Sequence, residues 1–345
     1  MFDLHKFDFS DEEIRKAAAE NRLLSMEIEF SRACNYHCPY CYAAEENPEA
    51  DELPSGKLNS AIFQAAELGA RKIVILGGEP LLYNRLEEKI RMITTLGMGA
   101  EIFTNSSLVT PHLAEFFFRH GCRVVVKFNS LNPEIQDSMT GEKGSLPVLL
   151  KAIKTLQKAG YTIPGMLCGA SVICSENFDG VLELWKYMRE NNIQPYFEML
   201  TPQGRLLKNK HLLVPKQRVR ELFDKIASLD QSFGHHWMPQ PPLVGGQCFR
   251  HTYSCVVNAR GEVKPCVGVD IVIGRLDEKP LKEILAQSKV IRDLKNYRNT
   301  MKGACRTCEK AESCYGCRGA AYQVTGDYLA SDPFCWHNPD GCDSL

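Results

Sequence analysis

Three cysteines, Cys34, Cys38 and Cys41, stand in the run Cys34-Asn35-Tyr36-His37-Cys38-Pro39-Tyr40-Cys41. Thiolates so spaced on one short loop can hold three irons of a cubane iron–sulfur cluster, because each iron needs one ligand from outside the core. The fourth iron then has no protein ligand. Such a corner can bind a small molecule instead of only passing electrons. With 15 cysteines in 345 residues, composition alone gives roughly 0.03 such triplets. The plainer readings are a partial zinc site or buried thiols.

Eight further cysteines crowd the last third: Cys248, Cys255, Cys266, Cys305, Cys308, Cys314, Cys317 and Cys335. Ser254–Val257 and Glu262–Pro265 read as a hairpin that carries Cys255 and Cys266 to one side. Eight thiolates suffice for two fully ligated cubanes or for two tetrahedral zinc sites, and the count does not choose. Four thiols remain: Cys122, Cys168, Cys174 and Cys342. Cys168 and Cys174 fall on one expected strand, as buried small hydrophobes or as hydrogen-atom donors.

These residues need positioning elements. A strand–helix alternation runs from Ser25 to Leu229, with strands at 25–30, 72–76, 100–104, 123–128, 167–174 and 193–199. Helices are expected at 85–96, 111–120, 146–159, 178–191 and 215–229 by apolar period. Ser10–Arg22 reads as a capped outer helix, with Ser10 and Glu13 as its capping box. Six such units predict an α/β fold: a parallel sheet curled into a partial (β/α)6 TIM-like barrel. Its chemistry belongs at the C-terminal ends of the strands, and the cysteine loop follows the first strand directly. The expected organisation is an N-terminal helix (1–24), the barrel (25–230) and a cysteine-rich region (231–345). The acidic loop 44–56 is expected to cover the site from outside. Formal charge is −1, from 41 basic and 42 acidic residues, so nucleic acid and membrane surfaces have no electrostatic support as partners. The N-terminus lacks a signal-peptide layout, and dense cysteine without one points to metal in the reducing cytoplasm, not to disulfides.

The triplet, with Tyr40 before its last cysteine, resembles the cluster loop of the radical S-adenosylmethionine (SAM) superfamily. The resemblance implies a [4Fe–4S] cluster that binds SAM and, on one-electron reduction, splits it to methionine and a 5′-deoxyadenosyl radical. Gly77-Gly78-Glu79-Pro80 resembles the family's motif for the SAM amino group. Thr104-Asn105-Ser106 resembles its turn near the ribose, with Ser106 where Gly is usual and Asn105 retained. Lys127–Glu134 resembles a run that ends the fourth strand, with Lys127 and Asn129 as departures. Lys127 then faces the SAM carboxylate or a substrate acid, or sends its ammonium to solvent. Ser171, Asn177 and Arg205 stand where SAM contacts are expected.

The pattern Cys248-x12-Gly261-x4-Cys266…Cys305-x2-Cys308-x5-Cys314-x2-Cys317…Cys335 resembles the SPASM extension, with two residues before Cys317 where the family usually has three. It implies two auxiliary [4Fe–4S] clusters: Cys248, Cys255, Cys266 and Cys317 on the nearer, Cys305, Cys308, Cys314 and Cys335 on the farther. The chain would then carry three clusters and SAM, with a flavodoxin- or ferredoxin-type reductant as partner. The expected reaction is hydrogen abstraction from a peptide or protein side chain, giving a cross-link, an oxidation or an epimer. The alternatives are the same chemistry on a small metabolite such as a sugar, and a non-catalytic iron–sulfur electron carrier.

Overall fold

The structure is a computed structural model that describes residues 2–43 and 52–342. Six strands lie parallel in chain order: β1 (Ser25–Glu29), β2 (Lys72–Leu76), β3 (Gly99–Thr104), β4 (Arg123–Lys127), β5 (Leu167–Ile173) and β6 (Gln194–Met199). Around them run α1 (Asp11–Ala19), α2 (Ser55–Glu67), α3 (Leu86–Thr95), α4 (Pro111–Arg119), α5 (Pro133–Thr140), α6 (Ser145–Ala159), α7 (Val181–Glu190) and α8 (Lys216–Gln231). The strands match the expectation within a residue or two. The capping box of α1 is present, with Ser10 Oγ accepting from Glu13 N at 3.2 Å and Glu13 accepting from Ser10 N at 2.8 Å. Helices α2 and α5 were not foreseen. The expected cover loop lies, over residues 44–51, outside the described residues.

Alternation along each strand divides the two faces of the sheet. Met26, Ile28, Ile73, Ile75, Ala100, Ile102, Val124 and Val126 join the apolar core under the helices. The opposite faces of β1, β3, β4 and β6 carry Glu27, Glu101, Lys127 and Glu198. A sheet with polar groups on its inner face must close them off from water or pair them. At the N-terminal ends of the strands the pairing is explicit. Arg123 donates to both carboxylate oxygens of Asp8 at 2.7 Å and to the Gly165 carbonyl at 2.8 Å. Lys72 donates to Glu101 at 2.6 Å and to the Phe7 carbonyl at 2.9 Å. The segment before α1 thus closes the floor, leaving the other end for chemistry.

The sheet does not stop at the barrel. β7 (Val256–Val257) pairs parallel with β1, and β8 (Glu262–Lys264) and β9 (Gly274–Arg275) continue it antiparallel, in the order β6-β5-β4-β3-β2-β1-β7-β8-β9. Val257 and Val263 enter the same apolar core as β1. The cysteine-rich region is therefore hydrogen-bonded to the strand that launches the cysteine loop.

Asp230 fastens the far side. Its fully buried carboxylate accepts from Trp185 Nε1 at 2.6 Å, from Trp237 Nε1 at 2.9 Å, and from Arg189 at 2.9 and 2.7 Å. Burial would raise its pKa, but Arg189 and the two indoles hold it below the usual carboxylate range. Its stabilisation is therefore present at neutral pH and is lost as pH falls through the lowered value. Asp230→Ala strands a buried guanidinium and two indole N–H groups. We expect it to cost about 3–5 kcal/mol, read as a lowered denaturation midpoint in tryptophan fluorescence at pH 7. That difference should shrink towards pH 3.

Candidate active site

The cysteine loop has no secondary structure of its own, so neighbouring backbone must hold it. Gly78 N donates to the Ser31 carbonyl at 3.0 Å and Glu79 N to the Ala33 carbonyl at 2.8 Å. His37 N donates to Thr140 O at 3.0 Å, and Arg205 N to Cys41 O at 3.0 Å. Each of these seats is a glycine-sized gap. A Cβ on Gly77 would lie 2.2 Å from Ser31 O, on Gly78 2.1 Å from Ala33 O, on Gly141 2.6 Å from His37 O, and on Gly204 2.3 Å from Cys41 O. Real side chains do not approach so closely. The glycine pair after β2 therefore makes room for the cysteine loop itself. Gly141, at the end of α5, was not singled out by sequence. Its one signal in sequence is a glycine following a short helical stretch, and the structure gives it the left-handed conformation of a helix cap.

Glu79 is 2% exposed. It accepts from Thr104 Oγ1 at 2.7 Å, Asn105 N at 2.6 Å and Leu81 N at 3.0 Å. Burial pushes its pKa up to about 7, against the pull of those donors. It thus ties the end of β2 to the end of β3. Asn105 donates on to Asn35 Oδ1 at 2.9 Å inside the cysteine loop, with Pro80 buried beside it as the first residue of the next turn. Ser106, where the resembled turn has glycine, keeps the left-handed backbone at φ 71°.

A second network joins Tyr40, Asn129, Ser171 and Asn177. Asn129 Nδ2 donates to Tyr40 Oη at 3.0 Å. Asn177 Nδ2 donates to Asn129 O at 3.0 Å and to Ser171 Oγ at 3.3 Å, and Asn177 Oδ1 accepts from Cys174 N at 3.0 Å. Gln136 on α5, missed in sequence, accepts from Asn129 N and Ser130 N at 2.8 and 3.0 Å. The structure thus brings together residues separated by up to 137 positions (177 − 40). Lys127 projects from β4 into this group, its Nζ 5.2 Å from the Tyr40 ring centroid. Burial lowers its pKa, while Glu198, Cys38 and Cys41 are the nearest charges that oppose the shift. Lys127 as a whole is half-buried beside that ring. Arg205 lies against the Cys38 carbonyl. Cys168 sits near the floor, with Arg123 and Glu101 as its nearest charges. Cys174 is buried among Met139, Val172, Leu200 and Leu206.

The remaining cysteines divide by what their sulfurs receive. Backbone N–H groups reach Cys34 Sγ (Tyr36, 3.5 Å), Cys266 (Val269, 3.3 Å), Cys305 (Asp332, 3.4 Å), Cys314 (Gly316, 3.3 Å), Cys317 (Ala320, 3.3 Å) and Cys335 (His337, 3.4 Å). Donors aimed at sulfur stabilise thiolates and tune a cluster's potential. Cys305, Cys308, Cys314 and Cys335 line one cavity with Gly316 and His337. Cys248, Cys266 and Cys317 sit close enough to feel one another's charge. Burial pushes Cys38 and Cys317 up to about 12, so their ionisation needs the positive charge of a metal. Among the described residues no three His, Cys, Asp or Glu side chains converge on a point that one ion could occupy. Cys255 is fully buried in the apolar core with Val257 and Val263, at the start of the hairpin foreseen over 254–265.

Comparison with known proteins bears on this site. Residues 28–196 match the model of the Radical SAM superfamily, and residues 248–309 match that of the iron-sulfur cluster-binding domain SPASM. An AdoMet-dependent heme synthase of Methanosarcina barkeri is 27% identical, over 92% of this chain and 97% of that protein. A PqqA peptide cyclase of Gluconobacter oxydans is 26% identical, over 92% of this chain and 88% of that protein. Streptococcus suis SuiB, solved with its precursor peptide SuiA, shares the fold with a TM-score of 0.72 at 16% identity, over 93% of this chain and 79% of that one.

Gly78→Ala tests the seat. The added methyl meets backbone, which cannot rotate away. We expect iron content after anaerobic reconstitution to fall by about four per chain, with the far-ultraviolet circular dichroism spectrum unchanged.

Proposed function

We propose that this chain, a radical SAM enzyme with a C-terminal SPASM domain, oxidises a carboxylate-bearing substrate by abstracting one hydrogen atom from carbon. The supporting observation is the seated Cys34–Cys38–Cys41 loop, which offers three thiolates and, among the described residues, no fourth cysteine in the same loop. Cys34, Cys38 and Cys41 would hold a [4Fe–4S] cluster, which would supply the electron for cleavage of SAM to methionine and a 5′-deoxyadenosyl radical. The chain's own residues do the rest. Gly77 and Gly78 seat the loop. Glu79 and Asn105 fix the two strand ends beside it. Tyr40, Asn129, Ser171 and Asn177 hold one another in register at the barrel mouth.

Lys127 gives the substrate its chemistry. A half-buried ammonium with no carboxylate among the described residues bonded to it gains a charge-assisted hydrogen bond by receiving one. Net oxidation is favoured over epimerisation, because Cys168 lies at the floor and Cys174 is packed in an apolar pocket. An oxidation leaves an electron to remove, and the SPASM cysteines would hold an exit for it on the sheet adjoining β1. A flavodoxin- or ferredoxin-type protein in the cytoplasm would be the physiological reductant.

We read the substrate as a peptide or protein side chain, in keeping with the similarity to PqqA peptide cyclases. The 27% identity along 97% of an AdoMet-dependent heme synthase favours a second reading, a small-molecule substrate in heme synthesis. Mass spectrometry of each candidate after anaerobic incubation with SAM and dithionite separates them, by a mass loss tied to 5′-deoxyadenosine.

We expect 5′-deoxyadenosine to form in the wild type and to be absent in Cys38→Ala. No 5′-deoxyadenosine in a wild type holding its full iron would reject the enzyme reading. Lys127→Met should raise KM for the acid substrate at least tenfold, as loss of about 1.4 kcal/mol or more of binding. Uncoupled SAM cleavage should stay within a few-fold of wild type.

A further inference from the structure

We propose that residues 204–211, where Lys208 and Lys210 flank Asn209, form the docking surface for an acidic one-electron carrier protein that reduces the cluster of the Cys34–Cys38–Cys41 loop. The proposal rests on the reading above and adds the place where the electron enters. One electron passes from the reduced carrier to the cluster, and no bond forms or breaks.

The first argument is attachment. This segment follows β6 and is bonded directly to the cysteine loop. Arg205 N donates to the Cys41 carbonyl at 3.0 Å, and Asn209 Nδ2 donates to the Pro39 carbonyl at 2.9 Å. Arg205 Nη1 reaches the Cys38 carbonyl at 3.5 Å. Asn209 Nδ2 also holds the Arg205 carbonyl at 3.1 Å, which ties the segment to itself. Lys208 and Lys210 are therefore each one residue from a side chain bonded between Cys38 and Cys41. A protein seated on them is brought up against the loop it must reduce.

The second argument is charge. Residues 204–211 carry Arg205, Lys208, Lys210 and His211 and no acid, on a chain whose formal charge is −1. Lys208, Lys210 and His211 are exposed. Among the described residues no carboxylate pairs with Arg205, Lys208 or Lys210. Exposed lysines elsewhere do find partners: Lys186 with Glu190, Lys279 with Glu283, Lys289 with Asp293 and Lys302 with Asp327. Like charges left together repel one another. An acidic partner relieves that repulsion, and the same field speeds its approach.

The third argument is the apolar spot among these cations. Leu207, next to Lys208, is 49% exposed. A small apolar centre with a charged rim suits a weak interface that forms and parts quickly, as delivery of single electrons requires.

The test uses the full reconstituted chain. Formation of 5′-deoxyadenosine from SAM is followed against the concentration of a reduced flavodoxin of acidic net charge, and separately with dithionite. Wild type should saturate with flavodoxin, at a concentration that rises with added salt. The double variant Lys208→Glu, Lys210→Glu should raise that concentration about tenfold or more at low salt. Its rate with dithionite should stay within about twofold of wild type, because dithionite needs no docking surface. Charge reversal at Lys154 and Lys158, exposed at the far end of α6, should change neither. The proposal is overturned if the double variant keeps the wild-type flavodoxin dependence, if it loses the dithionite rate as well, or if reversal on α6 has an equal effect. It is overturned too if wild type is active with dithionite and draws no electrons from flavodoxin. A wild type inert with dithionite would reject the enzyme reading itself, and the proposal with it.

Discussion

A loop without secondary structure must carry three thiols to fixed points, and here it is fixed by backbone meeting backbone. Gly77, Gly78, Gly141 and Gly204 come from three different elements, yet each would drive a Cβ into a carbonyl of the cysteine loop. Packing of this kind has no flexible side chain to yield. It converts the rigidity of the parallel sheet into rigidity of the loop, which is what a site needs if reacting atoms are to be held within a fraction of an ångström. The polar network above it, from Tyr40 to Asn177, extends the same fixation across β4 and β5.

The second consequence concerns the cysteine-rich region. Because β7 pairs with β1, the auxiliary thiols hang from the same strand that launches the first cysteine loop. Arg250 extends the connection. It lies two residues after Cys248 and donates to Glu27 on the inner face of β1 at 2.8 Å and to Tyr196 on β6. A residue from the auxiliary region thus helps to line the barrel. The barrel and the cysteine-rich region share one continuous sheet along this ladder.

Much of this was legible beforehand because it is periodic or spaced. The strands KIVIL and RVVVK announce themselves by buried apolar runs, and the cysteine spacings by their improbability. Other features depend on register or on contacts far apart in sequence. Gly141 is an ordinary helix stop until His37 is seen against it. Gln136 reads as a surface residue of a helix that polar composition conceals. Cys255 falls on a foreseen hairpin, but its place in the apolar core beside Val257 and Val263 shows only in the structure. Asp230 gives no sign in sequence that two tryptophans and an arginine converge on it.

The account depends on an iron corner with no protein ligand, over which the Cys34–Cys38–Cys41 loop is seated. The most direct measurement is electron–nuclear double resonance on the reduced, reconstituted enzyme with SAM labelled with nitrogen-15 at its methionyl amine. A strong coupling from that label, lost in the Cys38→Ala protein, is the result the account predicts. SAM bound at stoichiometric amount with no coupling from the label would contradict it.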